Sequence, residues 1–167
     1  MSQHRAALAA ILVAVVAILA LSVVPATAAP PAPTNPLVAA AAAYDGTWQG
    51  ECWAFIKKIV REATGQEMGF DYRQGYFDAG AIEVSVADAR AGDVIQIARD
   101  SDSGPNADYS GLHSSIIVEN LGGGAFHVID SNQNYDGVVH HRLSYSPSAA
   151  AARYGLNFHI YRIAAGA

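Results

Sequence analysis

Apolar and polar positions along the chain fall into three patterns, and each predicts a different kind of element. From residue 6 to residue 24 nothing is more polar than Ser22, and the run is closed by Pro25 and the small-residue box Ala26-Thr27-Ala28. With Arg5 ahead of it, this is the layout of a secretory signal, so residues 1–28 are expected to be a signal peptide. The run is also long enough to span a bilayer, which leaves an uncleaved N-terminal anchor as the alternative. Residues 29–43 are rich in Pro and Ala, carry no charge and show no alternation, and they read as a linker.

The second pattern is helical. At 100° per residue, Cys52, Phe55, Ile56, Ile59, Val60 and Ala63 share one face, while Lys57, Lys58 and Arg61 fall on the opposite one. Gly65 stands where such a helix commonly stops. The third pattern is a series of short apolar runs separated by polar turns. Strands are predicted at 94–98, 114–119 (opened by His113), 125–130, 138–142 and 156–163, with a hairpin turn at 120–124 and a short helix started by Ser146-Pro147. Between the long helix and the first strand, residues 69–80 gather Phe70, Tyr72, Tyr76 and Phe77 into a loop or short irregular helix. Such a segment walls a substrate groove or is a surface loop tacked down by its aromatics. One helix followed by a run of antiparallel strands gives an α+β domain over residues 44–167.

Charge and length narrow the class. The chain has 167 residues and a formal net charge of −5, enough for one compact domain and too acidic for a polybasic nucleic-acid binder. An acidic body is also a poor match for anionic membranes, so no stable membrane association is expected once the signal is removed. The domain is expected to be a monomer. In the loop at 99–108, Asp100, Asp102, Asn106 and Asp108 alternate as in calcium loops, but no closing glutamate and no following helix accompany them. A solvated turn is the simpler reading.

Cys52 is the single cysteine, so it has no internal disulfide partner. A thiol in the first turn of a helix lies near unpaired N–H groups and the positive end of the helix dipole, and both favour the thiolate. The same position on the apolar face equally suits an inert core thiol. Partners elsewhere must decide. His127, His140, His141 and His159 lie inside predicted strands and read as wall or surface residues. His113 sits where a polar loop meets an apolar strand, and the hairpin returns Asp130 and Asn132 to its neighbourhood. An acid or amide there could orient the imidazole that serves the thiol.

Gly50-Glu51-Cys52 opening a helix, Ala91-Gly92-Asp93-Val94-Ile95 before a strand, His113 ahead of Ile116-Ile117-Val118, and Ile129-Asp130-Ser131-Asn132 together resemble a CHAP domain. These cysteine, histidine-dependent amidohydrolases/peptidases are relatives of papain-type enzymes and cut bacterial peptidoglycan. The resemblance covers about residues 44–163 and implies a papain-like fold, with the cysteine helix packed on an antiparallel sheet of five to six short strands. It also implies that Cys52, His113, Asp130 and Asn132 form the catalytic set, in the family's order. The family's acid is commonly glutamate; Asp130 is one methylene shorter, so either Asp130 or Asn132 orients His113. The implied chemistry is acyl transfer, as an amidase or endopeptidase on a peptidoglycan peptide, needing neither metal nor organic cofactor. The N–H groups opening the helix at Gly50–Cys52, with the Gln49 side chain, are the expected oxyanion donors. Glu51 places a negative charge beside the thiol and opposes its ionisation unless it points into solvent.

Other readings stay open at this point. Transglutaminase-like enzymes also run Cys, His, Asp, and a non-catalytic wall-associated or surface binding protein could use the same fold. No His-Glu-x-x-His spacing supports a metal site.

Overall fold

The computed structural model describes residues 35–99 and 110–164. The signal-like segment at 1–28 and the loop oxygens at 100–108 lie outside the described residues. Four helices and six strands follow in the order α1 (Pro36–Ala42), α2 (Cys52–Thr64), α3 (Gln74–Asp78), β1 (Ile82–Glu83), β2 (Val94–Ala98), β3 (His113–Gly122), β4 (Ala125–Ser131), β5 (Val139–Tyr145), α4 (Pro147–Ala152) and β6 (Asn157–Arg162). The strands form one antiparallel sheet in the order β1-β6-β2-β3-β4-β5. The fold is α+β and papain-like, with the cysteine at the head of a helix that packs on the sheet.

Side chains that alternate along the strands feed two cores. Val94, Ile116, Ile129, Val139 and Tyr161 meet Phe55, Ile56, Ile59 and Val60 of α2. Ile95, Ile97, Ile117, Val128 and Ile160 belong to a second cluster with Ala151 of α4. The amphipathic face read from the sequence is thus the face of α2 that is buried, and α2 ends in a left-handed Gly65 (φ 72°) whose N–H bonds the Arg61 carbonyl.

The expected linker does not extend to residue 43. Asn35 caps α1, its side chain accepting the Leu37 N–H at 2.9 Å, and Pro36 occupies the first turn, where its missing N–H costs nothing. Leu37, Val38 and Ala41 are buried in the α2 core. Three further boundaries differ from the sequence reading. β1 was not expected at all, and it pairs Ile82 with Arg162 and Glu83 with Tyr161 at the sheet edge. β3, opened by His113 as expected, runs on to Gly122, and β5 extends to Tyr145. In the aromatic stretch the short-helix alternative is realised as α3, and Tyr72 and Tyr76 are buried.

Candidate active site

Cys52 is the first residue of α2 because Glu51 stays extended (φ −64°, ψ 142°) while its carbonyl accepts the Phe55 N–H at 3.0 Å. The N–H groups of the first turn, that of Cys52 among them, have no acceptor within the helix. The sulfur is almost fully covered, with 8% of the residue exposed. Its place is set by the end of β4 and the turn that follows it. The Ser131 hydroxyl donates to the Gly50 carbonyl at 2.7 Å, and the Gly137 carbonyl accepts the N–H groups of Gln49 (2.7 Å) and Gly50 (3.0 Å). Gly137 has φ 69°, and a Cβ there would lie 2.3 Å from the Trp48 indole nitrogen, so this close approach demands glycine.

His113 is held by β2 through its pairing with Ile97 and opens β3. Ser115 pairs with Asp130 on β4, so by alternation His113, Ser115 and Asp130 share one face of the sheet. His113 Nε2 lies 3.1 Å from Asp130 Oδ2, within ion-pair range, although the N–H is not aimed along that line as a hydrogen bond requires. Arg142 Nε donates to the same carboxylate oxygen at 2.8 Å. Asp130 is fully buried and is flanked by two cationic groups.

Burial pushes the Cys52 thiol up, but three effects outweigh it: the hydrogen bond and charge of His113, the Ser114 N–H, and the Tyr72 hydroxyl. The net result is a thiol below its ordinary pKa. For His113 burial acts downward. The Asp130 contact, the Cys52 contact and the negative charges of both raise it to about 9. These directions favour a thiolate–imidazolium pair over two neutral groups.

Asn132 is not brought to His113. It leaves the ladder in a left-handed conformation (φ 62°), accepts the Gly137 N–H at 2.9 Å and donates to Glu51 Oε2 at 2.8 Å. Of the two candidates for holding the imidazole, Asp130 is the one in contact. The same bond answers the objection raised by Glu51, whose exposed carboxylate is tied to an amide donor on the turn. The oxyanion expectation for Gln49 and Gly50 is not met. The Gln49 amide donates to Thr47 (3.1 Å) and accepts from Lys58 (2.7 Å), and the Gly50 N–H is spent on Gly137.

Two residues outside the expected set reach the centre. Tyr72 Oη lies 3.9 Å from Cys52 Sγ and 3.3 Å from the Ser114 hydroxyl. Burial and then the Cys52 charge hold its phenol well above the ordinary range, so it remains a neutral donor. Its backbone is pinned by Gln96 Nε2, which donates to the Tyr72 carbonyl, and its ring packs on Trp53 at 4.8 Å between centroids. The second is Arg142. The aromatic richness of 69–80 pointed to the first region without singling out Tyr72; no local pattern marks Arg142.

The cleft has two arms meeting at Glu51, Cys52 and Leu112. One, of about 510 Å³, includes His113, Asn132, Tyr135 and Tyr154. The other, of about 480 Å³, is walled by Trp53, Ala54 and Tyr72. A chain laid across both would present a carbonyl at the sulfur. The remaining histidines have other neighbours: His127 meets His141 at 2.9 Å, His140 meets Asp136 at 3.0 Å and His159 meets Glu83 at 2.7 Å.

No protein-family model and no curated protein matches the chain. Among solved structures, the crystal structure of Ly7917 aligns with a TM-score of 0.50 at 16% identity, over 75% of this chain and 61% of that one. This chain therefore spans about three-fifths of the length of Ly7917. A crystal structure of Ly7917 with the hydrolyzing product of MDP aligns with a TM-score of 0.47 at 17% identity, over 77% and 62% of the two chains. The likeness is one of fold.

Proposed function

We propose that the chain is an exported cysteine hydrolase that cuts amide bonds in the peptides of peptidoglycan. The observation that carries the reading is the buried Cys52–His113–Asp130 arrangement, with the thiol below its ordinary pKa and His113 raised to about 9. The resemblance to CHAP domains supplies the substrate class, and the segment at 1–28 supplies the export.

In this reading the Cys52 thiolate attacks the amide carbonyl and forms a C–S bond. The oxyanion is met by the Cys52 N–H at the helix start and by the neutral Tyr72 hydroxyl, which takes the place expected of Gln49. The His113 imidazolium gives its proton to the departing nitrogen as the C–N bond breaks, leaving an acyl thioester. Neutral His113 then takes a proton from water as its oxygen attacks the thioester, and the carboxylic acid leaves with Cys52 restored as thiolate. Asp130, anchored by Arg142, orients the ring and stabilises its charged form.

Mass spectrometry of muropeptides after digestion of purified walls tests this reading. The wild-type protein is expected to create a new amine and a new carboxylate at one bond, and Cys52→Ala is expected to create neither. Equal digestion by both proteins, or none by either, would sink the proposal. Isopeptide products formed with an added amine would move it to acyl transfer.

A further inference from the structure

The arm of the cleft that runs past Tyr72 does not end there. Trp53, Ala54 and Tyr72 also line a second hollow of about 350 Å³ along the exposed side of α2, together with Lys57, Arg61 and the largely exposed Phe70. Both lysines of this acidic chain, Lys57 and Lys58, lie here. Lys58 is committed, donating to Gln49 and lying 3.8 Å from the centre of the Tyr44 ring. Lys57 has no ion-pair partner among the described residues. Arg61 reaches only Glu67, at 4.0 Å, with both side chains mostly exposed. Lys57 and Arg61 are one helical turn apart on the same face, where like charges repel unless an anion lies between them. Elsewhere the cations that hold the fold are matched: Arg142 by Asp130, Arg162 by Asp93 and Arg73 by Glu83.

We propose that this hollow is a carboxylate subsite continuous with the catalytic cleft, in which Lys57 and Arg61 bind an acidic group of the substrate peptide while Trp53 and Phe70 wall its backbone. His113 must reach the departing amine, and it lines the other arm. The α2 arm therefore takes the acyl side of the scissile bond, and the recognised carboxylate belongs to that part of the peptide. Peptidoglycan stem peptides carry free carboxylates on their acidic residues, which amidation removes. The subsite would thus discriminate free from amidated stems. The assignment rests on the hydrolase reading in naming the ligand and in placing it on the acyl side of the scissile bond.

The test is calorimetric titration of Cys52→Ala protein with two synthetic stem peptides of one sequence, with carboxylates either free or amidated. The free form is expected to bind at least tenfold more tightly, and the advantage should shrink as salt rises. Adding either Lys57→Gln or Arg61→Gln should remove much of that advantage, whereas Arg153→Gln, an equal loss of positive charge away from the hollow, should not. Equal affinity for both peptides, binding to neither, or an equal effect of Arg153→Gln would overturn the subsite. Tight binding of a glycerol-phosphate polymer with no discrimination between the peptides would also overturn it, making the patch an anchor for wall polymer. Discriminating binding by a protein that hydrolyses nothing would refute the hydrolase reading and leave the subsite standing.

Discussion

Two histidines in this molecule hold an aspartate oxygen at nearly the same distance, His113 to Asp130 at 3.1 Å and His140 to Asp136 at 3.0 Å. Geometry at that level does not separate them. Their surroundings do. The first pair has side chains 10% and 0% exposed and is held between a thiol and an arginine; the second has side chains 38% and 36% exposed and lies on one strand and its preceding turn. Water screens the second pair, and exposed pairs of this kind contribute little. Where water is excluded, the same attraction decides which protonation states exist, so His113 titrates at about 9. A carboxylate beside an imidazole gains its hold on the ring's charge through burial and through its other partners.

That contrast can be broken by experiment. The largest expected effect is on turnover: His113→Ala should lower wall hydrolysis by about 10²–10⁴-fold, the range for losing a positioned acid–base group. His140→Ala should leave the rate within about twofold. Equal losses in the two variants would erase the distinction.

Next comes stability. Asp130→Ala strands the arginine of a buried pair and should cost about 3–5 kcal/mol in urea unfolding. Asp136→Ala should leave the unfolding midpoint in place. A subtler separation comes from pH. Because the folded-state pKa of His113 is raised, its stabilising contribution is complete below its unfolded value near 6.5 and is lost as pH rises through about 9. Hydrolysis should fall over the same upper range, as the imidazolium that protonates the amine disappears. In Asp130→Asn that alkaline limb should move to lower pH, because the carboxylate that raised His113 is gone. An unmoved limb would mean that Asp130 does not act on the ring. The smallest effect is expected at Asn132. Asn132→Ala frees Glu51, so alkylation of Cys52 at pH 6 by iodoacetamide should slow a few-fold, and adding Glu51→Gln should restore it.

The parts of the fold legible in the sequence are those in which each element announces its own period. α2 shows a full apolar face and a glycine stop, and the strands from residue 94 onward show short apolar runs between polar turns. α1 does not, because Leu37, Val38 and five consecutive alanines from Ala39 to Ala43 present no polar face to contrast with the buried one. Within the site, the hairpin alone brought Asp130 to the neighbourhood of His113, and the resemblance to CHAP domains added Cys52. The Gly50 N–H is taken by the carbonyl of Gly137, more than eighty residues away in sequence on the turn after β4, while the Gln49 amide turns to its near neighbour Thr47 and to Lys58. Asn132 was separated from His113 by a single left-handed residue, a local choice that strand alternation does not encode. Tyr72 was one aromatic among four, and only the path of a non-periodic segment put its hydroxyl at the sulfur.

Cys52 also fixes how the protein would age. Its thiol lies below its ordinary pKa yet is nearly covered, and the chain holds no second thiol. A peroxide small enough to enter would convert it to a sulfenic acid, and no neighbouring cysteine could capture that species as a disulfide before it went further. Recovery would depend on a reductant slim enough to follow the same path. In the proposed hydrolase, the working life of each molecule in an oxidising setting would therefore be the lifetime of one sulfur atom.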